Sequence, residues 1–143
     1  MSKPLIAGVD PGVKTGVAIW NYEQQRFLSI ETFNIIEAMR RLLYFSEHLG
    51  GIIFEDARLR GGKPGKERLQ GAGSIKRDSK IWEEFCKCYL IPFQPVKPTS
   101  GNTKWKADYF KRITGWDKRT SEHSRDAAVL VFGMKNFIKD KNG

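Results

Sequence analysis

The sequence predicts an α/β fold, a five-stranded mixed sheet flanked by helices. Three observations carry this. Leu5–Asp10, Thr15–Tyr22 and Arg26–Phe33 are strand-length runs separated by turn residues, and they read as a meander. Two more short apolar runs, Ile52–Phe54 and Ile91–Val96, each follow a segment with helical spacing. Two further helical segments close the chain, giving the order β-β-β-α-β-α-β-α-α.

Each element has a local reason. Leu5–Val9 is an apolar run ending on Asp10, and Pro11-Gly12 makes a tight turn. Arg26–Phe33 alternates, with Leu28 and Ile30 on one side and Phe27, Ser29 and Glu31 on the other. Asn34–Leu49 carries apolar residues at helical spacing, with Asn34 as N-cap and Gly50-Gly51 as the stop. Ile52–Phe54 ends on Glu55-Asp56. Arg58–Gly65 is glycine-rich and reads as a loop, and Lys66–Cys88 reads as a helix containing Gly71-Ala72-Gly73-Ser74. Glycine costs a helix about 1 kcal/mol relative to alanine, so close approach of another backbone is expected there. Pro92 and Pro95 keep the fifth strand short or at an edge. Thr103–Ile113 and Asp126–Lys139 read as helices, the second with Ser124 as N-cap, and Thr114–Ser124 as a polar loop.

A length of 143 residues suits one domain, 1–143, around a single core. At 40% hydrophobic and 12% aromatic residues, a packed globule is expected rather than a disordered chain. No run reaches membrane-span length, and the N-terminal region lacks a signal peptide's apolar segment, so a soluble cytoplasmic protein is expected. Cys86 and Cys88 complete no zinc site and no disulfide framework, in keeping with a reducing compartment. Charge is more telling: 25 Lys+Arg against 16 Asp+Glu leave +9 and a pI near 9.7. Such a balance favours an anionic polymer as partner. The segment Ala57–Lys80 alone holds eight basic and two acidic residues.

Two apolar strands end in acids, Asp10 and Glu55, and Asp126 follows the polar loop, with His123 three residues before it. Taken singly, Asp10 suits a turn, Glu55 a solvated strand tip, Asp126 a helix dipole and His123 a loop. Together they form a different pattern. Neighbouring strand ends lie about 5 Å apart, so acids on one end of a sheet can share an ion. An oxygen-rich set of this kind suits Mg²⁺, with Mn²⁺ as a substitute.

The segment GVDPGVKTGVAIW, with Asp10, Gly12 and Gly16, resembles the first motif of the RuvC-type Holliday junction resolvases, within the RNase H-like superfamily. Ile53-Phe54-Glu55 resembles the second motif, and His123-Ser124-Arg125-Asp126-Ala127-Ala128 the last. Pro95-Val96-Lys97 resembles a strand ending in a DNA-contacting lysine, Lys106 a second basic position, and the helix around Gly71–Ser74 the helix after the second motif. The chain departs from the cellular enzymes at Asp56, in lacking an aromatic in the loop that follows, and in being compact, closer to phage-type members.

The resemblance implies an RNase H-like fold and an enzyme that resolves four-way and other branched DNA junctions by paired nicks, leaving 5′-phosphate and 3′-hydroxyl ends. It implies that Asp10, Glu55, His123 and Asp126 are catalytic and hold two divalent ions about 4 Å apart. It implies a homodimer and a place in the cytoplasm, that of a bacterial host if the chain is phage-encoded. Arg58, Arg60, Lys63, Lys66, Arg68, Lys76, Arg77, Lys80, Lys97, Lys104 and Lys106 are the candidate DNA contacts. The rival readings are a YqgF-type RNA-processing nuclease, a non-catalytic DNA-binding module and a fragment of a sugar-kinase or actin-like ATPase. The last needs two such domains around its nucleotide.

Overall fold

The computed structural model describes residues 2–60, 72–99 and 101–137. Strands β1 (Leu5–Asp10), β2 (Thr15–Asn21) and β3 (Arg26–Phe33) form the expected meander. Helix α1 (Ile35–Tyr44) leads to β4 (Leu49–Glu55), helix α2 (Ala72–Cys88) to β5 (Phe93–Val96), and helices α3 (Ala107–Thr114) and α4 (Glu122–Val131) follow. The sheet order is β3-β2-β1-β4-β5. β1 pairs antiparallel with β2 and parallel with β4, and β4 pairs parallel with β5. The two-proline strand β5 therefore lies at an edge, where a missing N–H breaks no ladder.

Strand alternation divides the core in two. Leu5, Ala7 and Val9 of β1, with Ile52 and Phe54 of β4, face α1 and α2, packing on Leu42, Trp82 and Phe85. Ile6, Ala18 and Ile53 belong to the opposite face, with Phe110 of α3 and Ala127, Ala128 and Val131 of α4. Side chains of one strand alternate strictly between faces, so Asp10 and Glu55 share parity with Ile6 and Ile53 and belong to the α4 face. Each fully buried large side chain contributes about 1.5–3 kcal/mol, and these layers hold the strand ends rigidly.

Several boundaries differ from expectation. Asn34 caps α1 as anticipated, its side chain accepting from the Glu37 N–H. The helix stops at Tyr44, and Leu49 is the first residue of β4, buried opposite Leu5. Gly50-Gly51 lie inside that strand, and the Phe137 ring fills the space a Gly51 side chain would need. α3 starts at Ala107 rather than Thr103, after a short 3₁₀ turn at Gly101–Thr103. α4 begins earlier than expected. Ser121 is its N-cap, and Ser124 closes a reciprocal capping box from the third helical position. That box satisfies the orphan N–H groups one turn before Asp126. α4 also ends at Val131, because Gly133 takes a left-handed conformation (φ 79°) and the Trp20 indole donates to the Met134 carbonyl at 2.9 Å. Of the small-residue patch, Gly71 lies outside the described residues. Gly73 has nothing within 4 Å of a built Cβ, so the close approach expected there is absent within the described chain.

Close approach occurs instead between the sheet and α4. A Cβ on Gly8 would run into the Ala127 carbonyl, and one on Gly16 into the His123 carbonyl. Both obstacles are backbone, so α4 must move to admit a side chain. Gly16→Ala should therefore cost about 1–3 kcal/mol, the usual range for overpacking. Urea denaturation measures it, and Gly73→Ala, in open space, should not destabilise the monomer.

Candidate active site

The site is assembled by register and by the position of α4. Val9 pairs with Phe54, so Asp10 and Glu55 follow one step on at adjacent strand ends. Asp10 also pairs across β1–β2 with Gly16, and the Thr15 hydroxyl closes the turn on the Gly12 carbonyl at 2.7 Å. α4 then brings His123 and Asp126, three residues apart on one helix face, over the same end of the sheet. The His123 Nδ1 lies 3.0 Å from Asp10 Oδ2. That contact orients the ring and leaves Nε2 outside it. Asp10 and His123 are in direct contact, and Glu55 and Asp126 lie at the same end of the sheet, near enough to act on Asp10 or be acted on by it electrostatically.

A fifth side chain joins them. The Lys104 Nζ lies 3.0 Å from Asp126 Oδ2 and 3.5 Å from Glu122 Oε1. Asp126 is nearly closed to solvent, its side chain 8% exposed. Beside them a cleft is lined by Glu55, Thr103, Lys104, Trp105 and Asp126.

The carboxylates strain against one another. Burial first, then repulsion from Asp10 and Asp126, pushes the Glu55 carboxyl up to about 7. Burial also raises Asp10, against the opposing hydrogen bond from His123. Among the described residues no three His, Cys, Asp or Glu side chains close around one point as a finished ion cage. The donor chemistry nonetheless fits a hard divalent cation: three carboxylates and one imidazole lie at one end of the sheet, and burial and carboxylate repulsion, which raise the Glu55 carboxyl, are what a bound cation would relieve.

Asp56, next in sequence, has the opposite fate. It is buried (2% exposed) and caps the 3₁₀ turn Ala57–Leu59. The Arg58 guanidinium bonds both its carboxylate oxygens, at 2.9 and 2.8 Å, and reaches Glu83 of α2 at 2.9 Å. Those bonds outweigh burial and hold Asp56 below the usual carboxylate range. Arg58, expected to contact DNA, is thus committed to a clamp between the end of β4 and α2. Only the Asp-x-Arg spacing hinted at this in the sequence.

The other candidate contacts are spread around the site. Arg60 is exposed just past the clamp, and Lys76, Arg77 and Lys80 are exposed on α2. Lys97, just beyond β5, and Lys106, the N-cap residue of α3, are exposed as well. Lys63, Lys66 and Arg68 lie outside the described residues.

No protein-family model matches the chain, and no curated protein sequence matches it. Solved structures do. Thermus thermophilus RuvC in complex with a Holliday junction substrate superposes with a TM-score of 0.61 at 14% identity, covering 90% of this chain and 91% of that one. This chain has the fold of RuvC. A second Thermus thermophilus RuvC structure gives a TM-score of 0.56, again at 14% identity, over 90% of this chain and 92% of that one. The RuvC-like, RNase H-like architecture is therefore the expected one, with the mixed five-stranded sheet and four helices among the described residues. No helix among those residues is long and apolar enough to cross a membrane.

The Glu55 titration has a definite sign. An unfolded glutamate titrates near 4.5, whereas in the fold the group is pushed up to about 7. The folded state binds the proton more tightly, so metal-free stability falls as pH rises from about 4.5 to about 7 and stays depressed above. Glu55→Gln should exceed the wild type by about 1–3 kcal/mol near pH 8, after discounting for solvent screening, with no difference near pH 4. Urea denaturation in chelator at the two pH values checks it.

Proposed function

We propose that this chain is a metal-dependent, structure-selective endonuclease that resolves four-way DNA junctions, and other branched forms, by paired nicks leaving 5′-phosphate and 3′-hydroxyl ends. The observation that carries this reading is the convergence of Asp10, Glu55, His123 and Asp126 at one end of a RuvC-like sheet. A strongly basic chain and a neighbour of the same fold solved with a Holliday junction substrate support it.

Asp10, Glu55 and Asp126 would hold Mg²⁺, with the His123 Nε2 as a further donor, and Mn²⁺ would serve in its place. Bound there, such ions supply Lewis-acid chemistry, lowering the pKa of water and stabilising charge on a leaving oxygen. The chain's own contribution is placement. Strand ends and a capped helix fix the carboxylates more accurately than loops would. Arg60, Lys76, Arg77, Lys80, Lys97 and Lys106, with Lys63, Lys66 and Arg68, neutralise backbone phosphates and supply sequence-independent affinity. The protein would act in the cytoplasm, that of a bacterial host if it is phage-encoded.

Cleavage of a four-way junction with Mg²⁺, beside a linear duplex of the same sequence and a structured RNA, tests the reading. The junction should be cut in preference to the duplex, and Asp10→Asn should lower the rate by at least about 10³-fold while junction binding survives. Equal cutting of junction and duplex, preferential cutting of RNA, or near-wild-type cutting by the variant would each sink it.

A junction has two-fold symmetry and this chain has one site, so paired nicks call for a two-fold dimer. The first turn of α2 is a suitable contact, since Gly73 leaves open space for another backbone. Sedimentation at micromolar concentration with a bound junction should give two copies. Gly73→Leu should leave a folded monomer that makes unpaired nicks, and a wild-type monomer on the junction would rule the dimer out.

A further inference from the structure

Lys104 was expected to be a phosphate contact on a helix. It sits instead in the connection between the Gly101–Thr103 turn and α3. Its ammonium is 3.0 Å from Asp126 Oδ2, and that carboxylate is almost wholly buried. It is also held loosely, at 3.5 Å, by Glu122, whose side chain is 66% exposed. The positive charge of Lys104 acts on Asp10 and Glu55 as well, opposing in part the burial and repulsion that raise them. One amine therefore serves all three carboxylates.

A divalent ion held at the site would draw on the carboxylate of Asp126. The ammonium is already bonded to one of its oxygens. The two cations cannot share the site without strong repulsion in a partly buried setting. The lysine stem is long, and its side chain is 34% exposed, so withdrawal into solvent is open to it.

We infer that Lys104 is a displaceable internal counter-ion, bonded to Asp126 in the metal-free protein and exchanged off it when a divalent ion enters. This rests on the metal-site reading above. Lys104 steadies the metal-free carboxylates and raises the ion concentration at which the site fills. It acts on the site through Asp126 and is a positioning residue, not a catalytic one.

Calorimetric titration of Mg²⁺ into the metal-free protein, without DNA, tests this directly. Lys104→Met should tighten Mg²⁺ binding on the order of tenfold, the equivalent of one lost charge-assisted hydrogen bond. Lys104→Arg should stay near the wild type, and Lys111→Met, a charge loss at an exposed position of α3, should leave the affinity unchanged. A merely structural lysine would give the opposite sign, because loosening the site weakens the ion. Equal or weaker binding by Lys104→Met overturns the inference and leaves the metal site standing. Absence of Mg²⁺ binding in every form overturns both. If Lys104→Met does not fold, the side-chain ¹⁵N resonance of Lys104 in the wild type, assigned with Lys104→Arg, should shift as Mg²⁺ saturates. An unmoved resonance at saturation overturns it equally.

Discussion

The site depends on two missing side chains. Gly8 on β1 and Gly16 on β2 share one face of the sheet, Gly8 opposite Ala18 and Gly16 opposite Asp10, and the α4 backbone rests where their Cβ atoms would be. Glycine weakens a strand, since it loses more backbone entropy on folding and packs no side chain. Burial of Ala127, Ala128 and Val131 on the same face offsets that loss. Small residues on both sides bring the helix close enough for His123 to bond Asp10 across the gap. The capping box works to the same end, starting α4 at Glu122 so that His123 lies in the first turn and Asp126 in the second.

Glu55 and Asp56 show how the fold treats adjacent acids differently. They are neighbours at the end of β4. Asp56 is buried and answered by the Arg58 guanidinium and the Arg58 backbone N–H. Glu55 is pushed up to about 7 by burial first and then by repulsion from Asp10 and Asp126. A fold selected for stability alone would pair both or replace both, since an unanswered buried charge is costly. Strain at the ends of β1 and β4, with a satisfied ion pair beside it, is the kind of departure from local consistency expected of a functional site. The clamp has its own use. Arg58 ties the exit of β4 to α2 through Glu83 and so restrains the backbone that carries Glu55.

The strands were legible because alternation and turn dipeptides are local signals. β1 and β3 match their expected limits, and the edge position of β5 followed from its prolines. The helix ends were harder to read. Leu49 fits the spacing of α1 by chance, but the sheet claims it, because pairing with β1 buries it more completely than a helix face could. Gly50-Gly51 looked like a helix stop, but Gly51 makes room for Phe137, an effect of a residue more than eighty positions away that no local window holds. Ser121 and Ser124 are both plausible caps, and only the reciprocal bond between them decides. The four proposed ligands could be picked out because acids at strand ends stand out against apolar runs. Lys104 could be named as basic, but its place among them depends on the path of the chain between β5 and α3.

Net charge therefore overstates the surface available to a polyanion. Arg58 is occupied by Asp56 and Glu83, Lys104 by Asp126 and Glu122, and Arg125 by the Thr120 carbonyl and hydroxyl and the Trp105 carbonyl. Each lies close to a strand or helix end that builds the site, so these cations hold the scaffold together where the acids would otherwise force it apart. Those left exposed, Arg60, Lys76, Arg77, Lys80, Lys97 and Lys106, belong to elements that flank the acids without pairing with them. Position, more than number, separates the charges that hold the fold together from those that meet a ligand.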